Sequence, residues 1–158
     1  ALPWAIEAQE ILESVGVSAD VWSVTSWGEL RKDGLNADEH NFLNPEATPK
    51  TAYINQKLAS TEGPILGVSD FMHAVPDMIR NWMPREYASL GAEGFGFSDT
   101  RPAARRYFKI DGPSIAVRVL QQLAKQGKVD ASVPIQVATE FKLDDVKAGT
   151  SGSAGGDA

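Results

Sequence analysis

The sequence contains no cysteine. Disulfides, thiolate nucleophiles and cysteine-ligated metals are therefore excluded, and the absence suits a reducing cytoplasm. Histidine is almost missing as well. His40 and His73 stand apart, in no His-Glu-x-x-His arrangement and in no two-histidine-plus-carboxylate cluster, so no metal site is expected. No apolar run approaches the length of a membrane span, so no membrane association is expected. The N-terminal stretch carries Glu7, Glu10 and Glu13 where a secretory signal would carry basic residues and then an apolar run. Basic residues are in the minority, 15 against 21 acidic, for a net charge of −6. Binding nucleic acid needs clustered Lys and Arg to neutralise phosphates, and the one short basic cluster is Arg101, Arg105 and Arg106, so nucleic acid is not an expected partner.

The 158 residues, 42% of them hydrophobic, are enough for one domain with a single substantial core. From Pro3 to Val15 apolar residues recur at helical spacing, and Gly16 stands at the stop. Val21-Trp22-Ser23-Val24 reads as a strand, and Ser26 with Glu29 as a capping box opening a helix through about Leu35. Asn36 to Pro49 reads as a loop and Thr51 to Ala59 as a short helix. Ile65-Leu66-Gly67-Val68 has the wholly apolar character of a strand covered on both faces; Ser69 or Asp70 should cap a helix kinked at Pro76 and ended by Pro84. Tyr87 to Leu90 is the third strand. A basic helix follows to Phe108, then a strongly patterned one after Asp111-Gly112-Pro113, with Ile115, Val119, Leu120 and Leu123 on one side, and a last helix from Val133 to Phe141. Residues 148–158 are dominated by Gly, Ser and Ala without apolar periodicity and are expected to be a disordered tail, which leaves 1–147 as the domain.

Strands alternating with helices predict an α/β fold, a three-layer α-β-α sandwich around a mainly parallel sheet with right-handed crossovers. Such a domain ordinarily opens on a strand. This sequence opens on a helix, so the first strand is expected ahead of Ala1.

The densest motif is Gly-Ala-Glu-Gly-Phe-Gly-Phe-Ser-Asp-Thr-Arg-Pro, residues 91–102. Glycines interleaved with phenylalanine run into oxygen-bearing side chains able to cap a helix, with Pro102 in its first turn, so this is a strand-to-helix corner. A phosphate cradle is disfavoured: Gly-x-Gly-x-x-Gly is not met, because Asp99 stands three places after Gly96 and its carboxylate would repel a phosphate. Ser98, Asp99 and His73 are the residue types of a hydrolytic triad, but Ser98 lacks the Gly-x-Ser-x-Gly elbow and reads as a cap. The adjacent carboxylates Asp38-Glu39 and Asp144-Asp145 read as solvated charge. Among the four tryptophans Trp22 is expected in the core, whereas Trp27 and Trp82 are interface candidates.

The corner, together with Val24-Thr25-Ser26-Trp27, Val68-Ser69-Asp70-Phe71 and Tyr107-Phe108-Lys109-Ile110-Asp111, resembles the C-terminal domain of the homodimeric, thiamine-diphosphate-dependent pyruvate dehydrogenase component of actinobacterial type, from about Trp4 to Val146. The matching corner positions are Gly94, Phe95, Gly96, Ser98, Asp99 and Arg101. The resemblance implies a transketolase C-terminal-like domain that packs against a pyrimidine-binding domain and supports the dimer. The parent enzyme would decarboxylate pyruvate on thiamine diphosphate held by Mg²⁺ and reductively acetylate the lipoyl group of a partner acyltransferase, feeding glycolytic carbon to acetyl-CoA. The family's Gly-Asp-Gly diphosphate signature is absent. No catalytic, cofactor or metal ligand is therefore assigned to this chain, and alone it is expected to be inactive. Transketolase or another thiamine-dependent enzyme, and a non-catalytic interaction module, are the alternative readings.

Overall fold

The computed structural model describes residues 1–96 and 98–150, the last two by backbone alone. The sequence builds its core around one helix, α6 (Gly112–Lys125). Asp111 caps it by accepting the Ser114 N–H at 3.3 Å, and Pro113 pre-sets its first turn. Its apolar stripe of Ile115, Ala116, Leu120 and Leu123 is buried. Ala8, Ile11 and Leu12 of α1 (Leu2–Ser14) and Val137 of α7 (Ser132–Glu140) pack against this stripe, and Leu66, Val68 and Leu90 reach it from the sheet.

That sheet is small. Strands β1 (Ile65–Val68) and β2 (Tyr87–Leu90) run parallel, with Ile65 opposite Tyr87 and Val68 opposite Leu90. Its second face is covered by α4 (Ala74–Asp77), which the Tyr87 hydroxyl grips through the Pro76 carbonyl at 2.7 Å and the Ser89 hydroxyl through Asp77 at 2.7 Å. The Tyr87 ring can cross β1 because residue 67 is glycine: a Cβ there would stand 2.1 Å from the phenolic oxygen. Helices thus cover both faces of a parallel sheet, as an α/β fold requires, with two strands among the described residues.

A side lobe is formed by α2 (Trp27–Leu43) and α3 (Tyr53–Leu58). Ser26 accepts the Glu29 N–H at 3.2 Å, the expected capping contact. Trp82, in a 3-10 turn, lies flat on Gly34 of α2, donates its indole N–H to Asp38 at 2.9 Å, and accepts from the Asn55 amide at 3.1 Å through its carbonyl.

Several expectations are corrected. Val21–Val24 is not a strand: the open cleft described below separates it from β1, and a β-run without a ladder partner stays irregular. Trp22 is 54% exposed and not core. The second helix continues past Leu35 to Leu43 and ends only where Pro45 pushes Asn44 out of helical backbone; weak apolar periodicity hid that extension, so much of the expected loop is helix. The helix after β1 is not capped by Ser69 or Asp70. Ser69 accepts the Phe71 N–H at 3.0 Å, Asp70 pairs with the Ala1 ammonium at 2.6 Å, and α4 is a single turn around Pro76 followed by a 3-10 turn. Of the expected tail, 151–158 lie outside the described residues, while 146–150 form a 3-10 turn.

Arg106 of α5 (Arg101–Phe108) locks the core side together. Its side chain is 4% exposed; Nε donates to Asp111 at 2.5 Å and Nη1 to the carbonyls of Phe141 and Lys142 at 2.8 and 3.1 Å. One guanidinium therefore joins the end of α5, the cap of α6 and the end of α7. Removing one partner leaves the other charge buried and uncompensated, so Arg106→Ala should cost about 3–5 kcal/mol, read as a drop in the denaturation midpoint. Glu7 of α1 packs against Gly112 in the same corner; burial first, and the neighbouring Asp111 second, push its carboxyl above the usual range. The folded state then binds this proton more tightly than the unfolded state. Stability falls as pH rises from the unfolded through the folded pKa of Glu7. Glu7→Gln should accordingly gain stability relative to the parent at pH 7 and lose that advantage near pH 4, as paired denaturation curves will show.

Candidate functional site

Parallel strands present their working end at their C-termini, where loops can converge on a ligand or partner. Here the loops after β1 and β2 are joined to each other. The Ala92 N–H donates to the Phe71 carbonyl at 2.9 Å, the His73 N–H donates to the Glu93 carboxylate at 2.7 Å, and the His73 ring lies 3.8 Å from the same carboxylate. Gly91 makes this approach possible, since a Cβ would fall 2.5 Å from the Phe71 carbonyl oxygen. Around the junction Phe71, Met72 and Phe95 are exposed, Phe95 at 97%.

The corner residues divide by role. Gly94 has φ +80°, a left-handed conformation that disfavours any side chain; Gly96 has no such requirement and open space around it. Asp99 accepts the Thr100 N–H at 2.7 Å, and Thr100 supplies the cap of α5, accepting from the Ala103 N–H at 3.5 Å. Ser98 and Arg101 are exposed. His73 is engaged with Glu93, so the three residue types of a triad are not assembled by any hydrogen bond. Trp27 begins α2 half-buried on the wall of a cleft, and Trp82 is committed to Gly34 and Asp38.

The donor set does not suit thiamine diphosphate. Asp70, Glu93 and Asp99 bring carboxylates to the loop end where a diphosphate would need cations, and no group of three His, Asp or Glu among the described residues is arranged to hold Mg²⁺. Equally, no helix among the described residues is long and apolar enough to cross a membrane.

Two features escaped residue-level reasoning. The unpaired side of β1 opens into a cleft of about 1220 Å³, walled by α1, the 17–26 segment, α2, α3 and the Ile115, Val119 and Leu123 flank of α6. The outer side of β2 opens into a second, polar groove of about 440 Å³. The short apolar runs of β1 and β2 announced strands, but which edge of each would stay open depends on pairing, which no local pattern encodes.

A family model described as the transketolase-like TK C-terminal domain matches residues 1–111. Over 149 residues the chain is 50% identical to the pyruvate dehydrogenase E1 component of Mycolicibacterium smegmatis, covering 94% of this chain and 16% of that protein. It is 50% identical over 145 residues to the E1 component of Corynebacterium glutamicum, covering 91% and 16%. With that of Escherichia coli it shares 37% over 140 residues, covering 87% and 16%. The chain spans about one-sixth of the length of the relatives it matches. On the strength of that match, and of a parallel sheet covered by helices on both faces, the chain belongs to the transketolase-like C-terminal domain family.

Proposed function

We propose that this chain is the C-terminal, structural and dimer-supporting part of a thiamine-diphosphate-dependent pyruvate dehydrogenase, which decarboxylates pyruvate with the help of Mg²⁺ and reductively acetylates the lipoyl group of an acyltransferase. The observation that carries this reading is identity of about one residue in two with two actinobacterial E1 components across nearly the whole chain. The chemistry is assigned to other domains of the polypeptide, consistent with the acidic, cofactor-averse loop end described above. The cleft beside β1, lined by apolar Leu66, Val68, Ile115 and Val119, has the room and the character to take a further strand parallel to β1. With that strand the fold becomes the three-layer sandwich. The complete polypeptide, loaded with thiamine diphosphate and Mg²⁺, should release CO₂ from pyruvate and acetylate lipoyl acceptors while leaving sugar phosphates untouched. Turnover of sugar phosphates in place of pyruvate would instead make it a transketolase.

In the same reading the glycine corner and its exposed Phe95 meet the neighbouring domain or second subunit. A fully exposed phenylalanine held on a loop between two glycines is costly to leave in water and is the type of anchor that interfaces bury. In the complete polypeptide Phe95→Ser should weaken the homodimer by at least about tenfold, measured by sedimentation, without lowering the melting temperature of the monomer. Unchanged dimerisation would remove the corner from the interface. Gly94→Val should cost about 1–3 kcal/mol of stability through its left-handed backbone. Gly96→Val should stay within about 0.5 kcal/mol.

A further inference from the structure

We propose that the outer edge of β2 is a docking slot for an extended, acidic segment of a separate protein, which adds to the sheet as a strand between α4 and α6. In a parallel ladder successive residues direct their backbone groups to opposite sides. The Ile65 N–H donates to the Glu86 carbonyl at 2.9 Å and the Ser69 N–H to the Leu90 carbonyl at 3.0 Å, so Glu86, Ala88 and Leu90 address β1 while Tyr87 and Ser89 face outward. On that outward side the Tyr87 carbonyl accepts from Arg80 at 3.0 Å. The Tyr87 N–H and both backbone groups of Ser89 have no partner among the described residues, although Ser89 is 7% exposed. These groups face the groove, so this edge of the sheet is unpaired and able to accept a strand.

The space for one is present. The groove of about 440 Å³ runs along β2, with His73, Asp77 and Arg80 on the α4 side and Arg118, Gln122 and Lys125 on the α6 side. Gln122 is 5% exposed, and both its amide nitrogen and its amide oxygen lack a partner. A primary amide offers one acceptor and a donor side by side, the complement of a peptide group. Arg118 and Lys125 lie four residues before and three after it, on one helical stripe, and neither has an ion-pair partner among the described residues. Of the groove's two carboxylates, Asp77 is paired with a cation and Glu86 is hydrogen-bonded to a neutral amide. Asp77 accepts from Arg80 at 2.6 Å and from Ser89 at 2.7 Å, and Glu86 accepts from the Gln126 amide at 2.6 Å. Partial burial would raise the Asp77 carboxyl, but the Ser89 hydroxyl and Arg80 outweigh it and hold it below the usual range, so it remains ionised beside Arg80. With Asp77 paired to Arg80, Arg118 and Lys125 outnumber the single carboxylate of Glu86, so the unpaired charge of the groove is net positive on a chain whose net charge is −6. Carboxylates at alternate positions of an added strand would face Arg118 and Lys125.

The chemistry of the walls points to a separate protein. A strand that completes a domain's own sheet is buried between apolar layers, like those of the cleft beside β1; the β2 slot is charged on both sides and open to water, which suits reversible association.

The test uses the complete polypeptide and a fluorescent peptide of about eight residues alternating Glu and Val. The peptide should bind, more weakly at high salt, and should slow amide exchange at Tyr87 and Ser89. Arg118→Glu with Lys125→Glu, both exposed positions whose folding circular dichroism will confirm, should weaken binding by about tenfold or more. Gln122→Leu should weaken it severalfold, and N-methylation of alternate peptide bonds should abolish it. Absence of binding, equal binding by the N-methylated peptide or the charge-reversed variant, or full competition by free glutamate would overturn the proposal, the last by making the groove a small-anion site.

Discussion

The buried contact between Arg106 and Asp111 governs the arrangement of the core. A guanidinium so enclosed is tolerated only if its donors are used, and Arg106 uses them on the cap of α6 and on the last carbonyls of α7. The same Asp111 carboxylate that takes Nε through one oxygen caps α6 through the other. Ion pair and helix start are therefore one object. The apolar stripe of α6 is aimed at α1, α7 and the sheet because its first turn is held there, and Glu7 is pressed against Gly112 because nothing larger than glycine fits between them.

Two strands make a small sheet, and its two open edges differ in physical character. Beside β1 the walls are apolar and the volume large; beside β2 the walls are polar and the volume is closer to that of a single extended segment. Apolar walls favour permanent burial, since water is excluded once and for all; charged walls keep part of their hydration and release a partner more readily. The relatives are about six times longer than the chain, and the larger cleft is its most extensive apolar-walled opening among the grooves described.

Much of this was written locally in the sequence. Asp111-Gly112-Pro113 announced α6, Ile115 and Leu120 announced its buried side, and the two apolar runs at 65–68 and 87–90 became the observed strands. Glycine-rich residues 91–102 announced a corner, and Thr100 caps the helix that leaves it. What stayed hidden depended on distant partners. Val21–Val24 has the residues of a strand but no ladder beside it, and Trp22, read as core, is exposed in consequence. Residues 36–43 are too polar to show a helical stripe, yet Ala37 is buried and the helix persists until Pro45. The groove beside β2 involves Gln122, a polar residue at a position where periodicity leads one to expect only a solvated or an apolar side chain. The candidate functional residues of the corner were legible as chemistry but not as geometry: that His73 pairs with Glu93 follows from the meeting of two loops far apart in sequence.

The stacking of Trp82 on Gly34 carries one more implication. The indole is wedged where a single methyl group would collide with three ring carbons, and the same residue is tethered to Asp38 by its side chain and to Asn55 by its backbone. Any slackening between the side lobe and the sheet must therefore change the surroundings of this ring, and in a variant that keeps Trp82 as its single tryptophan the emission colour is an intrinsic optical gauge of whether the two are clasped or apart.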